Sequence, residues 1–281
     1  MATRIALVGA GGKMGTRISA NLARMSHYRL ACCEKSEAGV ADLAARELAV
    51  VPAAEAVAEA EIAIFAVPDT AMGVVTAELT PHMRAGSTVL MLDPAAAAAG
   101  EVALRSELHY VVCHPCHPPL FGPQPDPETY DFFGGISAPQ DVVIALWQGS
   151  EEALAEAEPV CRDMFAPVAK VHRITVDQMA LLEPAMAEVV SCSAIALVRD
   201  VLEEAVKAGV PREAATAFLL GHVQVQLAIL LGFLPVRMSD AAMVALRWGR
   251  ERIIRPEWKD AFAPEQVEAV IREMLHPEAR I

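Results

Sequence analysis

The stretch Arg4-Ile5-Ala6-Leu7-Val8-Gly9-Ala10-Gly11-Gly12-Lys13-Met14-Gly15, continued by Thr16-Arg17-Ile18-Ser19-Ala20-Asn21-Leu22-Ala23, decides the fold. A short apolar run, a glycine cluster and a helix-compatible segment, in that order, read as strand, tight turn and helix. Glycines in such a turn let backbone N–H groups approach a pyrophosphate, and the following helix aims its positive end at that charge. Gly9, Ala10, Gly11, Gly12, Lys13, Met14 and Gly15 are therefore the candidate cofactor cradle. Their spacing, G-x-G-G-x-M-G, is one residue longer than the plain dinucleotide fingerprint. A second apolar run, Arg29-Leu30-Ala31-Cys32-Cys33, ends in Glu34. An acid at that point fits the ribose hydroxyls of NAD and repels the 2′-phosphate of NADP, so NAD is the expected cofactor, with Lys35 next door weighing the other way.

From this turn the pattern alternates. Helical stretches at Gly39 to Leu48 and Ala53 to Ala60 precede a fully apolar strand, Ile62 to Val67, that breaks at Pro68-Asp69. A helix from Ala71 to Met83 leads to the strand Thr88 to Leu92, which stops at Asp93-Pro94. Continuous apolar strands separated by helices indicate a parallel sheet covered on both faces. Ligands of such sheets sit at the strand C-terminal ends, which makes Val67, Pro68, Asp69 and Asp93 candidate cofactor neighbours. The strand Val142 to Trp147, the helix Glu151 to Met164 and a strand near Val168 to Ile174 close the α/β part.

Composition bounds the partners. The chain of 281 residues carries a formal net charge of −13, which argues against nucleic acid and against an anionic membrane surface. No cationic, apolar leader precedes the first strand, so the six cysteines read as reduced thiols of a cytoplasmic protein. Cys113 and Cys116 form a C-x-x-C with no second pair to complete a structural zinc site, and ordinary packing is the simpler account. The most apolar segment, Ala217 to Val236, contains His222, Gln224, Gln226 and Pro235, and reads as a buried helix of a helical domain or a dimer interface rather than a membrane span.

A second stretch with chemistry in it is Cys113-His114-Pro115-Cys116-His117-Pro118-Pro119, where a strand delivers two histidines into a proline-stiffened loop at the ligand edge of the sheet. From Thr175 the pattern is helix only, giving an expected division into a dinucleotide-binding domain over 1–174 and a helical substrate and dimerisation domain over 175–281. Asp177 through Lys207 is so apolar that more than one face has to be buried, and Glu183 and Glu188 stand out because a buried carboxylate needs a partner, a metal or a raised pKa. Pro211 opens a further helix carrying His222 and Gln226 on one face, and Arg255-Pro256-Glu257-Trp258-Lys259 places cations near the end.

The cofactor half resembles the 6-phosphogluconate and 3-hydroxyacid dehydrogenase superfamily, in which a Rossmann domain precedes a long-helix domain that dimerises. More specifically, His114-Pro115-Cys116-His117-Pro118-Pro119, Asp177-Gln178-Met179-Ala180-Leu181-Leu182-Glu183-Pro184, Phe218-Leu219-Leu220-Gly221-His222 and Arg255-Pro256-Glu257-Trp258-Lys259 resemble the D-apionate oxidoisomerase family over nearly the whole chain. One departure from the superfamily is that its catalytic lysine on the long helix has no counterpart, since that region carries Glu183 and Glu188. The resemblance implies oxidation of the 2-hydroxyl of a branched sugar acid by NAD, followed by an α-ketol rearrangement that a divalent cation assists. Imidazole and carboxylate ligands suit zinc, with magnesium as the other option. Residue by residue, it implies His114 and Glu183 as metal ligands, His117 or Glu188 as the base, and His222 and Lys259 on the substrate carboxylate, supplied by the partner of a homodimer. Two other readings stay open: a simple NAD(P)-dependent hydroxyacid dehydrogenase, and a non-catalytic NAD-binding redox sensor, which leaves the histidines and carboxylates without a task.

Overall fold

The computed structural model describes residues 2–126 and 128–277. The first half alternates as expected: β1 (Thr3–Val8), α1 (Lys13–Leu22), β2 (Tyr28–Cys33), α2 (Glu37–Ala45), α3 (Ala53–Glu59), β3 (Ile62–Phe65), α4 (Asp69–Leu79), β4 (Thr88–Met91), α5 (Ala95–Ala98) and β5 (His109–Pro115). It closes with β6 (Gln140–Gln148), α6 (Glu151–Met164) and β7 (Val168–Arg173). All seven strands form one sheet in the order β2-β1-β3-β4-β5-β6-β7. Every residue of β3 and β4 is buried, which is why these strands read as unbroken apolar runs with helices on both faces. Helix α6 packs on α1 and β6 through Leu154, Ala157, Val160, Cys161 and Met164, spaced at three and four residues along one face.

The sheet is parallel as expected but for one pairing: β6 runs antiparallel to β5, while every other pairing is parallel. The reason is the connection. A parallel return needs a crossover, usually a helix, and none forms among the described residues between Pro115 and Gln140, so the chain turns back on the same edge.

The second half is helical. Val176–Lys207 is one continuous helix built of α7 (Val176–Ala180), a widened π-helical section over Leu181–Cys192 and α8 (Ser193–Lys207). A capping box between Thr175 and Gln178 starts it. The widened turns contain Pro184, which has no N–H to give and whose ring clashes with the α-helical carbonyl ladder. Then come α9 (Arg212–Leu230), α10 (Asp240–Ile253), a 3₁₀ turn at Pro256–Phe262 and α11 (Pro264–Leu275).

The chain divides into two compact units, one comprising Met1–Leu182 with Glu268–Ile281 and the other Glu183–Val267. In the first, the end of α11 buries Ile271 and Leu275, and His276 pairs with Glu101 at 2.7 Å. In the second, α8 packs on α9, yet α8 and α10 bury no side chain and α9 buries Ala215 alone. Ile195, Phe218, Leu220 and Trp248 are each more than half exposed. Of the two expectations for these apolar helices, burial within their own domain is not met: within one chain their apolar faces are open, and the alternative of a dimer interface remains. Val176–Lys207 and Arg212–Leu230 are also long and apolar enough, by length and composition, to cross a membrane.

Candidate active site

Strand order determines where ligands meet this sheet. The chain leaves β1 for β2 on one side and returns to β3 on the other, so the C-terminal ends of β1 and β3 flank the crevice where open α/β sheets bind ligands. Gly9 follows β1 at φ +82°, and a Cβ there would strike the Ala66 carbonyl group. The N–H groups of Gly9 and Ala10 both donate to the Cys33 carbonyl, at 2.9 and 3.0 Å, which locks the turn to β2. Gly15 lies so close beneath this turn that a Cβ would stand 2.7 Å from both Cα and C of Ala10. Gly12 precedes α1 with no side-chain cap, and no acidic residue occupies the first turn, so the leading N–H groups face an incoming anion. Gly11, Gly12 and Lys13 line one recess, while Val8, Gly9, Glu34 and Val67 line an adjoining cavity of 480 Å³. Pro68 and Asp69 open α4 beside Val67.

Glu34 sits at the end of β2. Its carboxylate accepts the N–H groups of Gly11, Lys35 and Ser36, each at 2.9 Å. Burial pushes its pKa up, and these backbone donors with the Ser36 hydroxyl overcome that and hold it below the usual value. Lys35, the residue expected to favour a 2′-phosphate, pairs with Glu78 at 3.2 Å.

The histidine loop occupies the same edge, two strands beyond β3. His114, near the end of β5, is half-buried, and its Nδ1 donates to the Leu92 carbonyl at 2.7 Å. A carbonyl only accepts, so Nδ1 carries the proton and Nε2 is the basic nitrogen of the ring. Burial lowers the His114 pKa, with the Leu92 carbonyl and Asp93 opposing, and the neutral ring it favours is the ligating form. Asp93 lies two residues past the end of β4, and donor atoms of Asp93 and His114 lie within 4.8 Å of each other. One Asp93 oxygen, Oδ1, also accepts the Ala95 N–H at 2.8 Å. Asp93 as a metal-ligand candidate was missed by sequence reasoning, though a signal existed. Met91 pairs with Val112 in register, and counting two residues on along both strands puts Asp93 level with His114.

His117 lies outside the sheet at φ +60°, a strained conformation for a non-glycine residue, and its Nδ1 donates to the Phe133 carbonyl at 2.9 Å. Cys113 is fully buried against Cys161 whereas Cys116 is exposed, so the C-x-x-C does not present two thiols to one site. In the helical unit, Glu183 is half-buried and follows Leu182 directly in the continuous helix. Glu188 is exposed, which corrects its expected burial within one chain. His222 and Lys259 are exposed as well. The His222 ring stacks on Phe218 at 3.9 Å and donates through Nδ1 to the Phe218 carbonyl at 2.7 Å.

Comparison with known proteins bears on this arrangement. A Rossmann-like domain matches residues 2–105, and the C-terminal domain of phosphogluconate dehydrogenase (decarboxylating) matches residues 124–275. A D-apionate oxidoisomerase of Cupriavidus necator is 41% identical over 274 residues, covering 97% of this chain and 99% of that protein. Another, of Rhizobium rhizogenes, is 43% identical over 272 residues, covering 96% of this chain and 98% of its own length. The chain belongs to the D-apionate oxidoisomerase family. Its fold matches a solved semialdehyde dehydrogenase NAD-binding protein from Cupriavidus necator, in complex with calcium and NAD, with a TM-score of 0.94 and 40% identity over 98% of this chain and 100% of that one. As a member of the D-apionate oxidoisomerase family, the protein combines a parallel-dominant sheet with a helical C-terminal region, as its sequence indicates.

Proposed function

We propose that the protein is an NAD-dependent oxidoisomerase that converts D-apionate to 3-oxo-isoapionate. The observation that carries this reading is the placement of Asp93 and His114 on the ligand edge that also bears the dinucleotide turn. Bound NAD takes the hydride from C2 as the 2-hydroxyl becomes a ketone. His117, through Nε2, removes the 2-hydroxyl proton in that step, with Glu188 as the other candidate base. The tertiary C3 hydroxyl then loses its proton, the hydroxymethyl carbon moves with its bonding pair from C3 to C2, and the C2 oxygen takes up a proton as C3 becomes the ketone. We assign the cation site to Asp93 and His114, with Glu183 as the further ligand that the family resemblance implies: a neutral imidazole and carboxylates form a set that fits zinc and also accepts magnesium. A cation held there would supply Lewis acidity, polarising the ketone and acidifying the neighbouring alcohol. Glu34 holds the adenosine ribose, and its charge together with the Lys35–Glu78 pair favours NAD over NADP.

The open apolar faces of α8 and α9 support a homodimer through the helical unit, with His222 and Lys259 reaching the substrate carboxylate of the partner's site. Six free cysteines and an acidic net charge support a cytoplasmic protein with a small-molecule substrate, no nucleic-acid partner and no membrane partner.

The test is NADH formation from D-apionate before and after chelation, with zinc, magnesium or calcium added back, and with the product identified by NMR. Metal-dependent turnover to the rearranged ketone is the expected outcome. Release of an unrearranged 2-oxo acid would reduce the protein to a simple dehydrogenase, and NAD binding without turnover would favour the redox sensor. His114→Ala should lose bound metal and turnover while keeping NAD binding. Loss of NAD binding as well would refute this division of roles.

A further inference from the structure

His117 has the geometry of a residue held in place by others. Its backbone lies in the left-handed region, and its Nδ1 is 2.9 Å from the Phe133 carbonyl. The acceptor has no proton to give, so Nδ1 carries the hydrogen and Nε2 is the basic nitrogen. In water a histidine ring prefers the opposite form, so the preference depends on how firmly the Phe133 carbonyl is fixed.

That carbonyl belongs to a turn with one organising group. Asp131 is 6% exposed, and its Oδ2 accepts three successive backbone N–H groups, from Ile136 at 3.1 Å, Ser137 at 2.9 Å and Ala138 at 3.2 Å. Gln124 Oε1 accepts the Asp131 N–H at 3.1 Å. Burial raises the Asp131 pKa, and the N–H groups of Ser137, Ala138, Ile136 and Gly134 outweigh that and lower it, so the carboxylate stays charged and grips the turn. Gly134 and Gly135 follow Phe133 at φ +74° and +87°, a path open to glycine. Helix α1 ties down the other side. Arg17 lies over the Phe133 ring at 4.4 Å, and Asn21 donates to the Gly135 carbonyl at 3.2 Å.

We infer that Asp131 is a positioning residue for the reaction: by holding the 131–138 turn, it keeps the Phe133 carbonyl on His117 Nδ1 and so presents Nε2 to the substrate hydroxyl. The catalytic consequence rests on the proposed role of His117 as the base. Because Arg17 and Asn21 are on the helix that receives the pyrophosphate, the same turn also braces the base against the cofactor helix.

The experiment is ¹⁵N-histidine NMR of the full-length protein at a pH where the rings are neutral, alongside kinetics, with the His117 signals assigned by their absence in His117→Gln. In the wild type, His117 should carry its proton on Nδ1. In Asp131→Asn that signature should be lost, with kcat falling roughly 10- to 100-fold and KM for NAD unchanged. An Nε2–H ring in the wild type, or an Asp131→Asn variant with tautomer and kcat unaltered, would overturn the inference. Should Asp131→Asn lose NAD binding and with it evidence of folding, Gly135→Ala perturbs the same turn. Its Cβ meets nothing nearer than 3.9 Å, so the strain is confined to φ, and the same loss of tautomer is expected, with an unchanged tautomer counting against the inference. Full turnover by His117→Gln would remove the base assignment, whereas the tautomer measurement decides the positioning claim independently.

Discussion

Gly15→Ala isolates the link between backbone packing and cofactor binding. An alanine Cβ at this position overlaps the Gly9 carbonyl oxygen and stands 2.7 Å from two Ala10 backbone atoms, none of which belongs to a flexible side chain. Restoring ordinary contact near 3.5 Å requires α1 and the glycine turn to separate by about 1 Å. Overpacking of this kind costs about 1–3 kcal/mol, against which alanine returns about 1 kcal/mol of helix propensity. Stability is thus expected to fall modestly. Binding should suffer more, because N–H groups that met the pyrophosphate lie on both sides of the displaced contact. Losing one hydrogen bond to a charged group costs about 1.5–3 kcal/mol, or roughly 10- to 150-fold in Kd. The assay is calorimetric titration with NAD at fixed ionic strength. Gly86→Ala serves as a control, since Gly86 has φ +82° but open space around it: it should lower the melting temperature and leave NAD affinity alone. Binding by Gly15→Ala within threefold of wild type would refute the reasoning.

Further outcomes follow from the same geometry. Glu34→Ser removes the carboxylate that accepts the Gly11 N–H and is proposed to hold the ribose, so NAD affinity should drop about tenfold and the preference over NADP should narrow; measured KM values for both cofactors check this, and an unchanged ratio counts against Glu34 as the discriminating residue. Ile195→Glu combined with Leu220→Glu puts charges on the open faces of α8 and α9 and should convert the proposed dimer to monomer by light scattering. A dimer of unchanged mass would place the interface elsewhere. The lowered pKa of Asp131 contributes stability that is complete above the ordinary aspartate value near 3.9 and is lost as pH falls through the lower folded value. Melting temperatures of wild type and Asp131→Asn should therefore differ most near neutrality and converge below about pH 3.9; a constant gap would show that charge is not what the turn uses.

Much of the first unit was legible in its residues. The glycine turn, the unbroken apolar runs of β3 and β4, and the acid ending β2 each report a local physical demand, and those demands lie close together in sequence. The reversal of β6 was harder to read, because its signal is a missing one: no helical periodicity between Pro118 and Gln140. Asp93 read as a cofactor neighbour because its strand end faces the ligand edge, and pairing it with His114 required the β4–β5 register, a relation between segments. Asp131 carries no signal in the sequence, since its role depends on N–H groups that converge only after the turn folds. In the helical half, apolar composition cannot distinguish a face buried in its own chain from one that a partner covers, so the segment of α9 reads equally as an interior helix or a dimer face.

The reversed strand has a consequence for how this enzyme is open to change. In a parallel sheet, each loop at the ligand edge is bound to a crossover helix on the far side, and altering one disturbs the other. Here, the connection leaves and re-enters the sheet at one edge, so its outer part, between His117 and the turn that Arg17 and Asn21 tie to α1, is an exchangeable module. Its length and chemistry can be redrawn while His117, that turn and α1 stay where they are. Substrate range and cofactor grip thereby become separate variables, and grafting at this loop is the route to a new acid substrate on an unchanged redox scaffold.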